Sequence, residues 1–173
     1  VHGALYFRQA ARVNGRHLTQ ALLRAATHRG LAVQQESVEQ LLFQNDRVTG
    51  VVTRQTTFHT ARVVIAGGAW SPLLGAQLGV QIPVAPQRGQ IAHFDLPSQM
   101  TGEWLVISAY HGHYIVCWPG GHVVCGATRE TGSGYRPHTT LNGVQEILGE
   151  ALRVAPGLAN AQLREVRVGL RPY

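Results

Sequence analysis

The rhythm of apolar positions changes several times along the chain, and each change marks an element. A short β-prone run, Leu5-Tyr6-Phe7, comes first. Leu18, Leu22, Ala25 and Ala26 then recur at helical spacing behind Asn14, a residue type suited to capping a helix, and Gly30 is placed to end it. The polar face of this helix carries Arg16, Arg24 and Arg29. From Leu31 the pattern shortens to that of strands, around Val33 and Val38 and over 41–43, 48–53 and 57–59, with a turn at Asn45-Asp46. Val63-Val64-Ile65 is continuously apolar, which predicts a strand buried on both faces. After Gly67-Gly68, residues Trp70, Leu73, Leu74 and Leu78 mark a short helix that stops at Gly79.

Pro83 and Pro86 separate this stretch from a second one, with strands predicted over 90–94, 104–108, 114–118 and 123–126. A polar loop over 131–140 leads into a helix over 142–154, whose apolar face is Leu141, Val144, Ile147, Leu148, Ala151 and Leu152. Pro156-Gly157 ends it, and a last strand is expected over 161–170. Most strands follow one another through short turns, which favours antiparallel pairing. The expected fold is α+β, a mostly antiparallel sheet covered by helices. No internal repeat or low-complexity segment interrupts it.

Composition narrows the function classes. The chain has 173 residues, 45% hydrophobic but only 14% charged, which excludes a disordered chain and allows a substantial core. The net charge is +6, and every one of the fifteen cations is arginine. These cations are scattered rather than gathered into a stripe, so nucleic acid is not an expected partner. No apolar run approaches the roughly 18 residues of a membrane span. Val1-His2-Gly3 carries neither an initiator methionine nor a signal-peptide pattern, and the chain stops just after an apolar stretch, so both ends read as cuts within a longer protein.

Two cysteines, Cys117 and Cys125, flank Pro119-Gly120-Gly121. A two-residue turn would set them on opposite faces of a hairpin, and a three-residue loop on the same face. Two buried, reduced thiols of a cytoplasmic protein are the favoured state.

Three constellations could carry chemistry. The first is the run from Val63 through Gly67-Gly68 to Ser71, where glycines allow a ligand close to the backbone or simply a tight turn. The second is Tyr110-His111-Gly112-His113-Tyr114. If extended, it points both histidines to one face and Tyr114 to the other. No third histidine or acid completes a metal site there, so no metal is expected, and a polar pocket or a half-buried aromatic strand remain as readings. The third is Gly169-Leu170-Arg171-Pro172, where a permanently charged planar fork at a strand end suits a carboxylate, or is an ordinary surface arginine. Paired carboxylates, nucleophile–base pairs and phosphate loops find little support.

In this order, and with Pro86-Gln87-Arg88-Gly89-Gln90 and Val124-Cys125-Gly126-Ala127-Thr128 between them, these motifs resemble the D-amino-acid oxidase-like family of FAD-dependent oxidoreductases, nearest its glycine oxidase branch. The resemblance covers nearly the whole chain. It implies that 1–82 is part of an FAD-binding region and 83–173 a substrate-binding domain truncated after G-x-R-P. It also implies roles. Arg171 would pair with a substrate carboxylate, and Tyr114 and His113 would line the pocket. The backbone of Val38 would meet the adenine of FAD, and Ala66, Gly67, Gly68 and Trp70 would run alongside the cofactor. Arg129 stands at a pocket-lining position and departs from the glycine oxidase pattern. The implied reaction is oxidation of the amine of glycine or a small amino acid to an imine, with O2 reduced to H2O2, in a cytoplasmic enzyme tied to thiamine biosynthesis.

The family's G-x-G-x-x-G, its ribose-binding acid and the segment beyond G-x-R-P are not in the sequence. The isolated chain is therefore expected neither to hold FAD tightly nor to turn over substrate. A dehydrogenase passing electrons to quinone and a non-catalytic basic module that binds anions are the alternatives, and homo-oligomer formation stays open.

Overall fold

The computed structural model describes residues 3–97 and 99–173; Val1, His2 and Ser98 lie outside the described residues. Two compact units are present, Val13–Ala85 and the segment up to Arg12 together with Pro86–Tyr173.

In the unit Val13–Ala85, α1 (Gly15–His28) begins where Asn14 accepts hydrogen bonds from the backbone N–H of Arg16 and His17, at 3.1 and 3.2 Å. It ends at Arg29, and Gly30 follows with φ +94°. Its apolar side chains Leu18, Leu22 and Leu23 stay exposed, so the amphipathic pattern forms the helix without a cover for it. Strands β1 (Val38–Gln44), β2 (Arg47–Thr53) and β3 (Thr57–His59) make an antiparallel sheet in that order. Asn45 and Asp46 both have positive φ, 50° and 60°, as a tight hairpin turn between right-twisted strands requires. Leu41 is the buried centre of this unit. Its N–H donates to Gln77 Oε1 at 2.9 Å, while Gln77 Nε2 donates to the Glu39 carbonyl at 3.0 Å.

The strand expected at Val63-Val64-Ile65 does not form, and Val64 is 89% exposed. A doubly buried strand needs neighbours on both edges, and the only described sheet in this unit is β1–β2–β3. The short helix does form, as α2 (Ser71–Gly75) between 3₁₀ turns at Gly68–Trp70 and Ala76–Leu78, ending at Gly79 with φ +66°. Leu5-Tyr6-Phe7 likewise forms no strand and is exposed.

In the second unit, β4 (Pro86–Asp95) is the spine. It pairs antiparallel with β9 (Gln162–Pro172) along its whole length on one edge. On the other edge it pairs with β7 (His122–Gly126) and, near its start, with β8 (Glu130–Thr131). β6 (Tyr114–Cys117) pairs with β7, and β5 (Ile107–Ser108) with β6. The ladder between β4 and β9 ends where Pro86 faces Pro172, two residues without an N–H to donate. The sequence suggests one sheet; the described residues form two, both antiparallel.

Helix α3 (Leu141–Val154), capped by Thr140, lays Ile147 and Ala151 on Ala92, Phe94, Ile115, Cys117, Val123 and Cys125. This is the main core, and one face of the sheet is spent on it. Alternation along β4 therefore sends Gln90 and Ala92 toward α3, and Gln87, Gly89 and Ile91 to the opposite face. Cys117 faces Val123 and Cys125 faces Ile115 across a three-residue loop. Both thiols thus lie on the core face, buried and free. No described helix is long and apolar enough to cross a membrane.

Candidate functional site

The face of the second sheet that α3 leaves free carries Arg171 and Tyr114. Arg171 lies opposite Gln87, near the end of β9. Its Nη1 donates to the Thr128 carbonyl at 2.9 Å and to Gln87 Oε1 at 3.3 Å. Both acceptors are neutral, and among the described residues no carboxylate pairs with it. The guanidinium lies over Gly89: a Cβ built there would meet Nη2, Cζ and Nη1 at 2.6 to 2.8 Å. Half-buried, permanently charged and held along one edge, it leaves its other N–H groups for an anion.

Tyr114 faces Gly126 across β6 and β7, and Gly126 faces Ile91 across β7 and β4. The tyrosine lies over Gly126, its hydroxyl and Cζ at 3.2 and 3.3 Å from where a Cβ would stand. A third glycine repeats the arrangement. At Gly112 a Cβ would overlap the guanidinium of Arg129, whose Nη1 and Nη2 donate to the carbonyls of His111 and Gly112 at 3.0 and 3.3 Å.

The histidines do not share the face of a strand, as an extended 110–116 would require. Tyr110–Gly112 is a 3₁₀ turn in which His111 has φ 54° and Gly112 φ 73°. His113 is buried and turns toward α3, its Nε2 at 3.1 Å from Glu146 Oε1. His111 Nδ1 lies 3.2 Å from Glu150 Oε1, and Arg153 stacks over the Tyr110 ring at 4.7 Å. The structure thus brings Arg171 and Tyr114 onto one face and puts His113 on the other. No group of metal ligands occurs among the described residues.

Beneath this face, on the α3 side, runs a buried polar network built on Pro86-Gln87-Arg88-Gly89-Gln90. Arg88 Nε and Nη2 donate to Glu130 Oε2 at 2.9 and 2.7 Å. Glu130 Oε1 accepts from Gln90 Nε2 at 2.6 Å and from Thr128 Oγ1 at 2.7 Å. Gln90 Nε2 also donates to Thr140 Oγ1 at 2.8 Å, joining the network to the start of α3. Burial alone would raise the pKa of Glu130, but the hydrogen bonds from Gln90, Thr128 and Arg88, with the Arg88 charge, hold it below the usual carboxylate value. The network fixes Thr128, and so the carbonyl that Arg171 uses. Gln87, on the other face, is tied by Nε2 to Thr131 Oγ1 at 3.1 Å. No site role for Gln87, Gly89 or Glu130 follows from the sequence; Gln87 and Gly89 stand out there only as members of the Pro86-Gln87-Arg88-Gly89-Gln90 motif.

The residues expected beside a cofactor lie in the unit Val13–Ala85. Val38 opens β1, opposite Thr53, and is partly exposed. Ala66 and Gly67 precede the Gly68–Trp70 turn. Gly68 has φ +53° and open space where a Cβ would stand, and Trp70 is 47% exposed. Small residues, a left-handed glycine and an accessible indole allow close approach of a flat ligand to the backbone, so this segment fits a dinucleotide such as FAD.

A family profile described as FAD dependent oxidoreductase (DAO) matches residues 1–173. The chain is 42% identical over 165 residues to an uncharacterized oxidoreductase, YurR, of Bacillus subtilis, covering 95% of this chain and 44% of that protein. Among solved structures, iminodiacetate oxidase (IdaA) from Chelativorans sp. BNC1 superposes with a TM-score of 0.87 at 36% identity, covering 93% of this chain and 43% of that one. Glycine oxidase from Bacillus cereus gives 0.77 at 27%, covering 90% and 42%. The chain thus spans less than half the length of each of these proteins.

Proposed function

We propose, from the premise that this chain belongs to the FAD dependent oxidoreductase (DAO) family, that it supplies the carboxylate-recognising face of an enzyme oxidising the amine of glycine or a small amino acid. The observation that carries this reading is Arg171. It is a half-buried cation with only neutral partners among the described residues, held at one edge by Thr128 and Gln87 and set into space that Gly89 leaves free. Such a group binds a carboxylate in a planar, charge-assisted pair. Tyr114 would stand beside the bound substrate and offer its hydroxyl to the carboxylate or the amine. His113, paired with Glu146 on the other face, braces the turn before β6 rather than touching substrate.

Val38, Ala66, Gly67, Gly68 and Trp70 would hold FAD, which supplies the capacity for two-electron oxidation when bound. The residues of this chain orient the substrate. Fixing the carboxylate on Arg171 fixes the direction of the Cα–H bond, and the Cα–N bond becomes C=N as two electrons and two protons leave. Water then hydrolyses the imine to an oxo acid and ammonia, and O2 takes up the two electrons and two protons as H2O2. No side chain has to act as base if the amine arrives neutral, which agrees with the absence of a carboxylate among the described partners of Arg171 and Tyr114.

The test is H2O2 release by the intact polypeptide supplied with FAD, over a panel of amino acids that includes glycine. Release supports the oxidase. A yellow protein that reduces an artificial quinone but not O2 refutes the acceptor, and one that ignores every carboxylated amine refutes the substrate class.

A further inference from the structure

Arg129 repeats, two strands away, the arrangement of Arg171. Each guanidinium lies over a glycine, Gly112 or Gly89, at a place where any Cβ would collide with it. Each is held by neutral oxygens: the carbonyls of His111 and Gly112 for Arg129, and the Thr128 carbonyl with the Gln87 amide for Arg171. Four other arginines of this unit pair with carboxylates: Arg88 with Glu130, Arg153 with Glu150, Arg164 with Asp95 and Arg167 with Glu165. Among the described residues no carboxylate pairs with Arg171 or Arg129; Arg12 is likewise held by backbone carbonyls, but its guanidinium does not lie over a glycine.

The two are linked through the backbone. Thr128, whose carbonyl takes Nη1 of Arg171, immediately precedes Arg129. Its side chain is completely buried in the network of Gln90 and Glu130, so the start of Arg129 is fixed. At its far end Arg129 grips a turn that α3 holds from behind, through Glu146 on His113, Glu150 on His111 and Arg153 over Tyr110. Tyr114, over Gly126, stands on the strand that leaves this turn. Arg129 is exposed, so it can meet a ligand that enters from solvent.

We propose that Arg129 is a second carboxylate-binding residue and that the substrate is an amine bearing two carboxylates, one on Arg171 and one on Arg129. This rests on the proposed role of Arg171. A monocarboxylate such as glycine would use only the first position. Two kinds of molecule share the chemistry, a secondary amine with two carboxymethyl arms and a primary amino acid with an acidic side chain.

The experiment compares the intact, FAD-loaded enzyme with its Arg129→Gln, Arg129→Lys and Arg171→Ala variants. Binding of two unreactive ethers, diglycolate with two carboxylates and methoxyacetate with one, is measured by calorimetry. The KM for iminodiacetate, aspartate and glycine is measured beside it. Diglycolate should bind the wild type at least about tenfold more tightly than methoxyacetate. Arg129→Gln should collapse that ratio and Arg129→Lys restore part of it. A low KM for iminodiacetate or for aspartate supports the proposal and tells which arm is used. A ratio within twofold of wild type in Arg129→Gln overturns the proposal, because Arg129 then only props the turn. If Arg171→Ala leaves methoxyacetate binding unchanged, the reading of Arg171 itself fails.

Discussion

Replacing Gly89 by alanine separates recognition from folding more cleanly than removing Arg171 does. The new methyl would lie 2.6 to 2.8 Å from three guanidinium atoms, well inside contact distance. What it meets is the end of a long, flexible side chain, so the arginine moves and the strand stays. Backbone entropy favours alanine over glycine in a strand by roughly 0.5–1 kcal/mol, which offsets residual crowding. Unfolding should therefore change little. The displaced guanidinium loses the Thr128 and Gln87 acceptors and the position they define. A charge-assisted hydrogen bond is worth about 1.5–3 kcal/mol, so KM for a carboxylated amine should rise roughly 10- to 150-fold at 1.4 kcal/mol per decade. Gly169 is the control. It faces Gly89 across the ladder, and nothing lies within 4 Å of its Cβ position, so Gly169→Ala should leave KM unchanged. The assay is steady-state kinetics on the intact flavoenzyme with thermal unfolding in parallel. A Gly89→Ala enzyme with wild-type KM would refute the argument.

Three further outcomes follow from the packing. Ile147, fully buried between α3 and the sheet, should cost about 2–5 kcal/mol of stability as alanine, read from denaturant unfolding; a loss under 1 kcal/mol would mean that α3 is not the cover of this core. Acid should weaken the fold in two steps. His93 has its pKa lowered from 6.5, by burial first and then by Arg167 and His122, so below 6.5 the unfolded chain takes up protons more readily and stability falls. Glu130, held below 4.5, keeps its stabilising effect above that pH and loses it as pH falls through the lowered value. The first step should vanish in His93→Gln and the second should shrink in Glu130→Gln, since Glu150 and Glu165 are also held low and keep part of it; a step of unchanged size in either variant would disprove its assignment. Cys125, whose thiol burial pushes up to about 12, should resist thiol reagents at neutral pH until the protein unfolds; rapid labelling of the native enzyme would contradict its place in the core.

Much of the fold is legible because the deciding signals are local. Asn14 and Gly30 bound α1, Asn45-Asp46 makes a hairpin, and Gly79 stops the short helix, each through the conformation of one or two residues. The expectation of a buried strand at Val63-Val64-Ile65 misled because hydrophobicity records what a segment could bury against, and no described strand pairs with it. An extended 110–116 would put His111 and His113 on one face, but left-handed backbone at His111 and Gly112 breaks the alternation. Arg171 and Tyr114 were legible as residues. Their common face was not, since it depends on β4 pairing with both β7 and β9. The glycines beneath them are legible only after that pairing is known, because each matters through a side chain that sequence distance hides.

The proposed substrate class depends on Arg171 as the anchor of a carboxylate. The decisive comparison is steady-state oxidation of the best amine in the panel by the intact, FAD-loaded wild type and its Arg171→Ala variant. KM should be at least about 30-fold higher in the variant, the loss expected when one partner of a hydrogen-bonded charge pair is removed, with a smaller fall in kcat. An unchanged KM, in a variant that folds and binds FAD as the wild type does, would contradict it.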